Sequence, residues 1–240
     1  MSLATVFVVD DDPSARKSLR WLLGSVNLPV KTFQSGEEFL QEYDEQQPGC
    51  VVLDLRMPGM GGLAVLTQLA ARDIPPPVIV VTGYGTVSTA VRAMRAGAVH
   101  VLEKPYDDQE LLDTIQEAFQ RDERNRAEHA RRVTAKARMD TLTPREREVL
   151  DLMVAGKTNK VIARQLQVSE KSIEYHRANI YEKMHADSLA ELLRMVLAVI
   201  EPKLGAAPEP AREGTGHLGA RVVSGSAGEA RVARGLTPPA

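Results

Sequence analysis

Residues 6–16 read VFVVDDDPSAR, an apolar and largely β-branched run that ends in three consecutive carboxylates, Asp10, Asp11 and Asp12. A run without polar alternation reads as a strand buried on both faces, as in parallel sheets. Crowding acids at its end is costly, because two like charges ~6 Å apart at an effective dielectric of about 20 repel by roughly 3 kcal/mol. The stretch therefore predicts a buried strand and, at its end, a positive partner that the local sequence does not supply.

Four more β-rich runs follow the first: VKTFQ, CVVLD, VIVVT and HVLEK. Helical patterns follow each of the five, over about 14–26, 36–46, 61–73, 86–96 and from near Asp107. Parallel neighbours need crossover connections, so this alternation predicts an α/β fold with a doubly wound, five-stranded parallel sheet. Ligands of such sheets bind at the carboxyl ends of the strands.

The fifth helical pattern does not stop on cue. From Asp107 to Arg138 there is neither Pro nor Gly, and a helix of that length would extend ~48 Å. Its stripe of Leu112, Ile115 and Phe119 runs into Asp122 and Arg126 before Val133, which reads as a solvated helix connecting two domains. In TLTPREREVLDLMVAG, Thr143 can cap, Pro144 takes the first helical position and Glu146 stands three residues after the cap. With KTNKVIARQLQ, the turn VS, EKSIEYHRANIYEKM and a last helix over about 188–200, this forms an all-helical module of about 60 residues. Beyond Lys203 the composition of Gly, Ala, Pro and scattered charge predicts a disordered tail. The chain thus divides into 1–120, a helical linker 121–138, a helical module 139–202 and a tail 203–240.

At 240 residues, 43% hydrophobic, 26% charged and net −2, the chain has the composition of an ordinary soluble protein of two modest domains. The start MSLATVFVVD lacks a secretory pattern and no stretch approaches 18 continuous apolar residues, so a cytoplasmic location without a membrane partner is expected. The single cysteine, Cys50, opens the run CVVLD and reads as a small buried residue. Charge is segregated: residues 1–120 carry a net −7, residues 121–138 a net +4, and residues 139–203 are neutral.

Asp54 closes CVVLD, and a parallel sheet would bring it beside Asp10 and Asp11. Such a cluster of oxygens suits Mg²⁺, which takes one or two carboxylates and completes its octahedron with water and phosphate. Thr82 closes VIVVT with a hydroxyl and Lys104 closes HVLEK with an ammonium. A carboxylate attacking phosphorus needs its developing charge neutralised by a metal, a fixed cation and a hydroxyl, and this rim would hold all three.

Through VVDDD, LDLRMPGMGGL, VVTGYG and EKP, residues 3–120 resemble the receiver domain of bacterial two-component response regulators. The resemblance implies a flavodoxin-like strand order 2-1-3-4-5 with Asp54 as phosphoacceptor. It makes Asp11 a direct metal ligand, supported by Asp10 and joined by the Arg56 carbonyl. Lys104 would pair with the phosphoryl group, Thr82 would move to bond it, and the bond before Pro105 would be cis. One position departs from the family: Val101 stands where an aromatic switch residue is common, with His100 beside it and Tyr84 elsewhere on the rim. Two other readings stay open at this point. DDDPS fits the start of haloacid-dehalogenase-type phosphatases, with Asp10 as nucleophile, and Val101 leaves room for a receiver that dimerises and binds DNA without phosphorylation.

In KTNKVIARQLQVSEKSIEYHRANIYEKM, two helices joined by a short turn give helix-turn-helix geometry, the second suited to a DNA major groove. Ile173, Ile180 and Met184 face a core, leaving polar residues outward. Residues 142–199 resemble the LuxR/FixJ-type output domain through LTPREREVL, TNKVIARQL, VSEKSIEYHRANIYEKM and SLAELLRM. By that resemblance Glu174, Tyr175 and Ala178 face base edges, while Lys157, Asn159, Lys160, Lys171, His176 and Arg177 touch phosphates or the groove edge. A neutral module gains little from counterion release, so two copies on adjacent half-sites are expected. The whole reads as a transcription factor and not an enzyme beyond phosphotransfer to itself. A sensor histidine kinase would phosphorylate Asp54 with Mg²⁺, a homodimer would form, and promoter DNA and RNA polymerase would be its partners.

Overall fold

The computed structural model describes residues 4–83 and 86–200. Tyr84 and the tail expected over 203–240 lie outside them. Five strands, β1 (Thr5–Val9), β2 (Val30–Phe33), β3 (Gly49–Asp54), β4 (Val78–Thr82) and β5 (His100–Glu103), form one parallel sheet of order β2-β1-β3-β4-β5. Between them run α1 (Pro13–Ser25), α2 (Gly36–Glu42), α3 (Gly62–Ala70) and α4 (Val87–Arg95).

Side chains of a strand alternate between faces, so β1 and β3 each feed two cores. Phe7, Val9, Val51, Leu53 and Val80 pack with Phe39, Leu66 and Ala93 from α2, α3 and α4. Val6, Val8, Cys50, Val52 and Val81 pack with Leu19 and Leu23 of α1 and with Leu111 and Ile115 of the fifth helix. The register sets Val9 beside Leu53 and Asp54 beside Val81, so the ends of β1, β3 and β4 lie together.

That fifth helix, α5, runs unbroken from Asp108 to Asp140, 33 residues with Asp107 as its cap, about 50 Å at 1.5 Å per residue. Its buried stripe is Leu111, Ile115, Ala118 and Asp122, with Leu112 and Phe119 only partly covered at its flank. The connector is exposed over most of 121–138 but is docked at one point, Asp122, which is only 2% exposed. Its Oδ2 accepts from Gly49 N at 2.9 Å and from Arg126 Nε at 2.7 Å. Arg126 also donates to the carbonyls of Glu45 and Gln47, both at 2.8 Å. A carboxylate and a guanidinium in an apolar stripe mark a docking point, because each satisfies backbone groups of loops that the sheet leaves open.

Four helices form the C-terminal module: α6 (Pro144–Val154), α7 (Asn159–Leu166), α8 (Glu170–Met184) and α9 (Leu189–Ile200). Thr143 and Glu146 make the reciprocal capping box. Glu146, 3% exposed, also accepts from Lys183 at 2.7 Å. Val149, Leu150, Ile162, Ile173, Ile180, Met184, Leu192 and Val196 make the core. Among the described residues no helix is long and apolar enough to cross a membrane.

Candidate functional site

The three acids after β1 separate into three environments. Asp10 is 1% exposed. Its Oδ1 accepts from Asp12 N at 2.9 Å, and its carbonyl accepts from Arg16 Nη1 at 2.6 Å. Asp12 turns away to cap α1, accepting from Ser14 N at 2.8 Å. Asp11 stays exposed, and one oxygen each from Asp10, Asp11 and Asp54 lie within 4.8 Å of one another.

The positive partner demanded by the sequence is in part a residue of the chain itself. Lys104 Nζ donates to Asp10 Oδ2 at 2.8 Å and to Asp54 Oδ2 at 2.9 Å, across 94 and 50 positions of sequence. Burial alone would lower its pKa, but the hydrogen bonds and charges of Asp10 and Asp54 outweigh it and hold the ammonium above its ordinary range. Asp54 Oδ1 accepts from Arg56 N at 3.0 Å, which aims the carboxylate out of the strand end. Thr82 is buried beside it, one register step beyond the Val81 that pairs with Asp54. Lys104 N donates to the Thr82 carbonyl at 2.8 Å, which ties the ends of β4 and β5 together through the backbone. The Lys104–Pro105 bond is cis.

Behind Asp54 the loop 55–61 is held tightly. Gly62 has no room for a side chain, because a Cβ would collide with the Asp54 carbonyl. Met60 N donates to Glu37 Oε1 at 2.7 Å. The donor set of three carboxylates plus the Arg56 carbonyl on the adjacent loop fits a hard, oxygen-loving divalent ion. Val101 is half-buried against the core of α2, α3 and α4, and His100 is exposed.

In the C-terminal module, Ser169 caps α8 by accepting from Ser172 N, and Gln167, with φ of 54°, turns the chain after α7. Lys171, Glu174, Tyr175 and Ala178 share one exposed face of α8 at spacings of three and four, with Tyr175 66% exposed. His176 and Arg177 do not join that face. They lie half-buried on its flanks, His176 with its ring 5.8 Å from that of Tyr175 and Arg177 with its guanidinium 6.0 Å from the Tyr181 ring. Lys157 and Lys160 are exposed and Asn159 half-buried where α7 begins.

Sequence reasoning missed Arg16 on the Asp10 carbonyl and the linker contacts of Asp122 and Arg126. The i,i+4 spacing of the latter pair and the acid's place in an apolar stripe were the available signals.

Residues 6–116 match the family described as response regulator receiver domain, and residues 140–196 match bacterial regulatory proteins of the luxR family. The transcriptional regulatory protein FixJ of Bradyrhizobium diazoefficiens is 41% identical over 192 residues, 80% of this chain and 94% of that protein. Nodulation protein W of the same organism is 43% identical over 192 residues, 80% of this chain and 85% of that one. Among solved structures, that of the response regulator StyR has a TM-score of 0.68 at 41% identity, covering 81% of this chain and 98% of that one.

Proposed function

The chain belongs to the response regulators that join a receiver to a LuxR-type DNA-binding domain, as FixJ does, and from that premise we propose that Asp54 is its phosphoacceptor. A sensor histidine kinase supplies the phosphoryl group, and the phosphorylated receiver pairs with a second copy to bind promoter DNA and engage RNA polymerase. Asp10, Asp11, Asp54 and the Arg56 carbonyl would hold Mg²⁺, which when bound would supply neutralisation of the phosphoryl group's negative charge. We divide the chain as receiver 1–120, linker 121–138 and output domain 139–202, working in the cytoplasm.

The observation that carries the reading is Lys104, 2.8 Å from Asp10 and 2.9 Å from Asp54. An ammonium already placed on the nucleophile's oxygen is in position to pair with phosphoryl oxygens once the Asp54–P bond forms. Thr82, tied to Lys104 through the backbone, is placed to follow. Asp10 is the poorer nucleophile of the two, being 1% exposed against 9% for Asp54, which disfavours a phosphatase acting through Asp10. The protein then accepts one phosphoryl group and loses it slowly by hydrolysis, without turning over other substrates.

On the output side, the face of Lys171, Glu174, Tyr175 and Ala178 enters the major groove, Glu174 offering an acceptor to cytosine N4. Lys157, Asn159 and Lys160 contact the backbone, with His176 and Arg177 at the groove edge. Val101, standing where the family commonly has an aromatic switch residue, keeps open a second reading, a receiver that dimerises without phosphate.

Incubation with acetyl phosphate and Mg²⁺ distinguishes these readings through mass, oligomer size and DNA affinity, for the wild type and Asp54→Asn. The proposal expects one added phosphoryl group, a dimer and tighter DNA binding, all lost in the variant. An adduct without change in affinity would favour the phosphate-independent reading. Sustained turnover of phosphoesters that depends on Asp10 would favour the phosphatase.

A further inference from the structure

Residues 1–120 carry a net −7, yet three of their nine lysines and arginines meet on one side of α1. Arg16 and Lys17 stand four and three residues before Arg20, so all three project from the same face of the helix. That face looks towards β2, the edge strand of the sheet. Between them runs a groove of about 520 Å³, whose opposite wall is Thr32, Gln34 and Glu38. Its volume falls within the range of small-molecule sites, about 300–1,000 Å³.

In a domain rich in carboxylates, none of these three cations is paired with one among the described residues. Arg16 Nη1 donates to the Asp10 carbonyl at 2.6 Å, Arg20 Nη2 donates to the Thr32 hydroxyl, and Lys17 is exposed. The one acid of the lining is already committed, because Glu38 Oε2 accepts from Gln34 N at 2.7 Å. The groove therefore offers two guanidinium forks, an ammonium, a hydroxyl and a side-chain amide, and no free carboxylate. Guanidinium forks match phosphoryl oxygens in geometry, and hydrogen bonds between ionised partners are the strong ones. The cations span about one helical turn, ~6 Å along α1 at 1.5 Å per residue, which two linked phosphoryl groups bridge better than one.

We propose that this groove between α1 and β2 is a binding site for a small polyphosphate, either inorganic or carried by a nucleotide. Lys17 and Arg20 take its outer oxygens, and Arg16 closes the inner end with the guanidinium nitrogens that the Asp10 carbonyl leaves free. The site is separate from the cluster of Asp10, Asp11 and Asp54, whose carboxylates repel such an anion when no divalent ion is present. It depends on nothing proposed for Asp54. Its cations are open to water, so binding weakens as salt screens them.

The test titrates the full-length chain, in EDTA and at low salt, with inorganic phosphate, pyrophosphate and ADP, read by calorimetry and by amide chemical shifts. Pyrophosphate is expected to bind at least about tenfold more tightly than phosphate and to shift amides within 16–20 and 32–38. Lys17→Gln and Arg20→Gln are each expected to weaken it about five- to tenfold, and Arg20→Lys to weaken it less than Arg20→Gln. ADP binding as tightly as pyrophosphate would support a nucleotide as the ligand, and ADP binding about tenfold more weakly an inorganic one. No saturable binding at millimolar concentrations, equal affinity for phosphate and pyrophosphate, or an affinity untouched by both substitutions would overturn the site. Both variants are expected to take up a phosphoryl group from acetyl phosphate and Mg²⁺ as the wild type does, which shows that they fold. A wild type that takes none refutes the role of Asp54, while the titrations still decide the groove.

Discussion

Asp122 on the linker helix accepts the amide of Gly49 at 2.9 Å, across 73 positions of sequence. Gly49 opens β3 at φ of 156°, and a side chain there would strike Thr5 of β1. The helix is thus joined to the sheet at a backbone position that tolerates only glycine.

Asp122→Ala removes the acceptor from both Gly49 N and Arg126 and leaves a guanidinium largely buried without its partner. Breaking a buried pair from one side costs about 3–5 kcal/mol, and the partial exposure of Arg126 places the expected loss near about 3 kcal/mol. Asp122→Asn, which retains one acceptor, is expected to lose less. Urea denaturation of the full chain measures both.

Tyr43 packs edge-on to Phe7 beside the same pair, and its hydroxyl has no hydrogen-bond partner among the described residues. Burial pushes its pKa up to about 12, Arg126 opposing and Asp122 reinforcing. The folded state therefore keeps a proton that the unfolded state releases near pH 10, and stability falls as pH rises from about 10 to 12, by up to about 1.4 kcal/mol per unit. Tyr43→Phe is expected to be neutral or slightly stabilising at pH 7 and to lack this alkaline loss, as denaturation at pH 7, 10 and 11.5 would read.

Gly62→Ala drives a methyl group into the Asp54 carbonyl at the start of α3. The backbone must retreat, taking Asp54, the proposed phosphoacceptor, and the Arg56 carbonyl with it. Loss of the adduct is expected along with about 2 kcal/mol or more of stability, as overpacking costs typically 1–3 kcal/mol. Full adduct formation in a normally stable variant would refute this.

Lys104 occupies the oxygens of Asp10 and Asp54 that a divalent ion bound there would also use. Replacing the ammonium in Lys104→Met leaves more negative charge for the ion, so Mg²⁺ affinity by calorimetry is expected to rise about tenfold, within what one charge a few ångströms away can supply. Adduct yield is expected to fall in the same variant. A fall in both would argue that Lys104 orders the carboxylates and does not compete with the metal.

On the output face, Lys171→Ala is expected to weaken DNA binding for all sequences and reduce the slope of log affinity against log salt by about one. Tyr175→Ala, which removes an exposed ring from the same face, is expected to weaken binding with little change of slope. Titrations at several salt concentrations separate the two effects.

The amino-acid sequence by itself determined the strands, their helices and the capping box of Thr143 and Glu146, because these follow from local periodicity and from polar groups three residues apart. It also marked Asp10, Asp54, Thr82 and Lys104, since each closes an apolar run and a parallel sheet gathers such ends. Only tertiary structure decided that Asp12 caps a helix and leaves the site, and that His176 and Arg177 flank the exposed face of α8. It alone showed that the linker is docked at Asp122 and Arg126, which read as solvent-facing charges until the open backbone groups of the distant loop before β3 supply partners that no local pattern can announce.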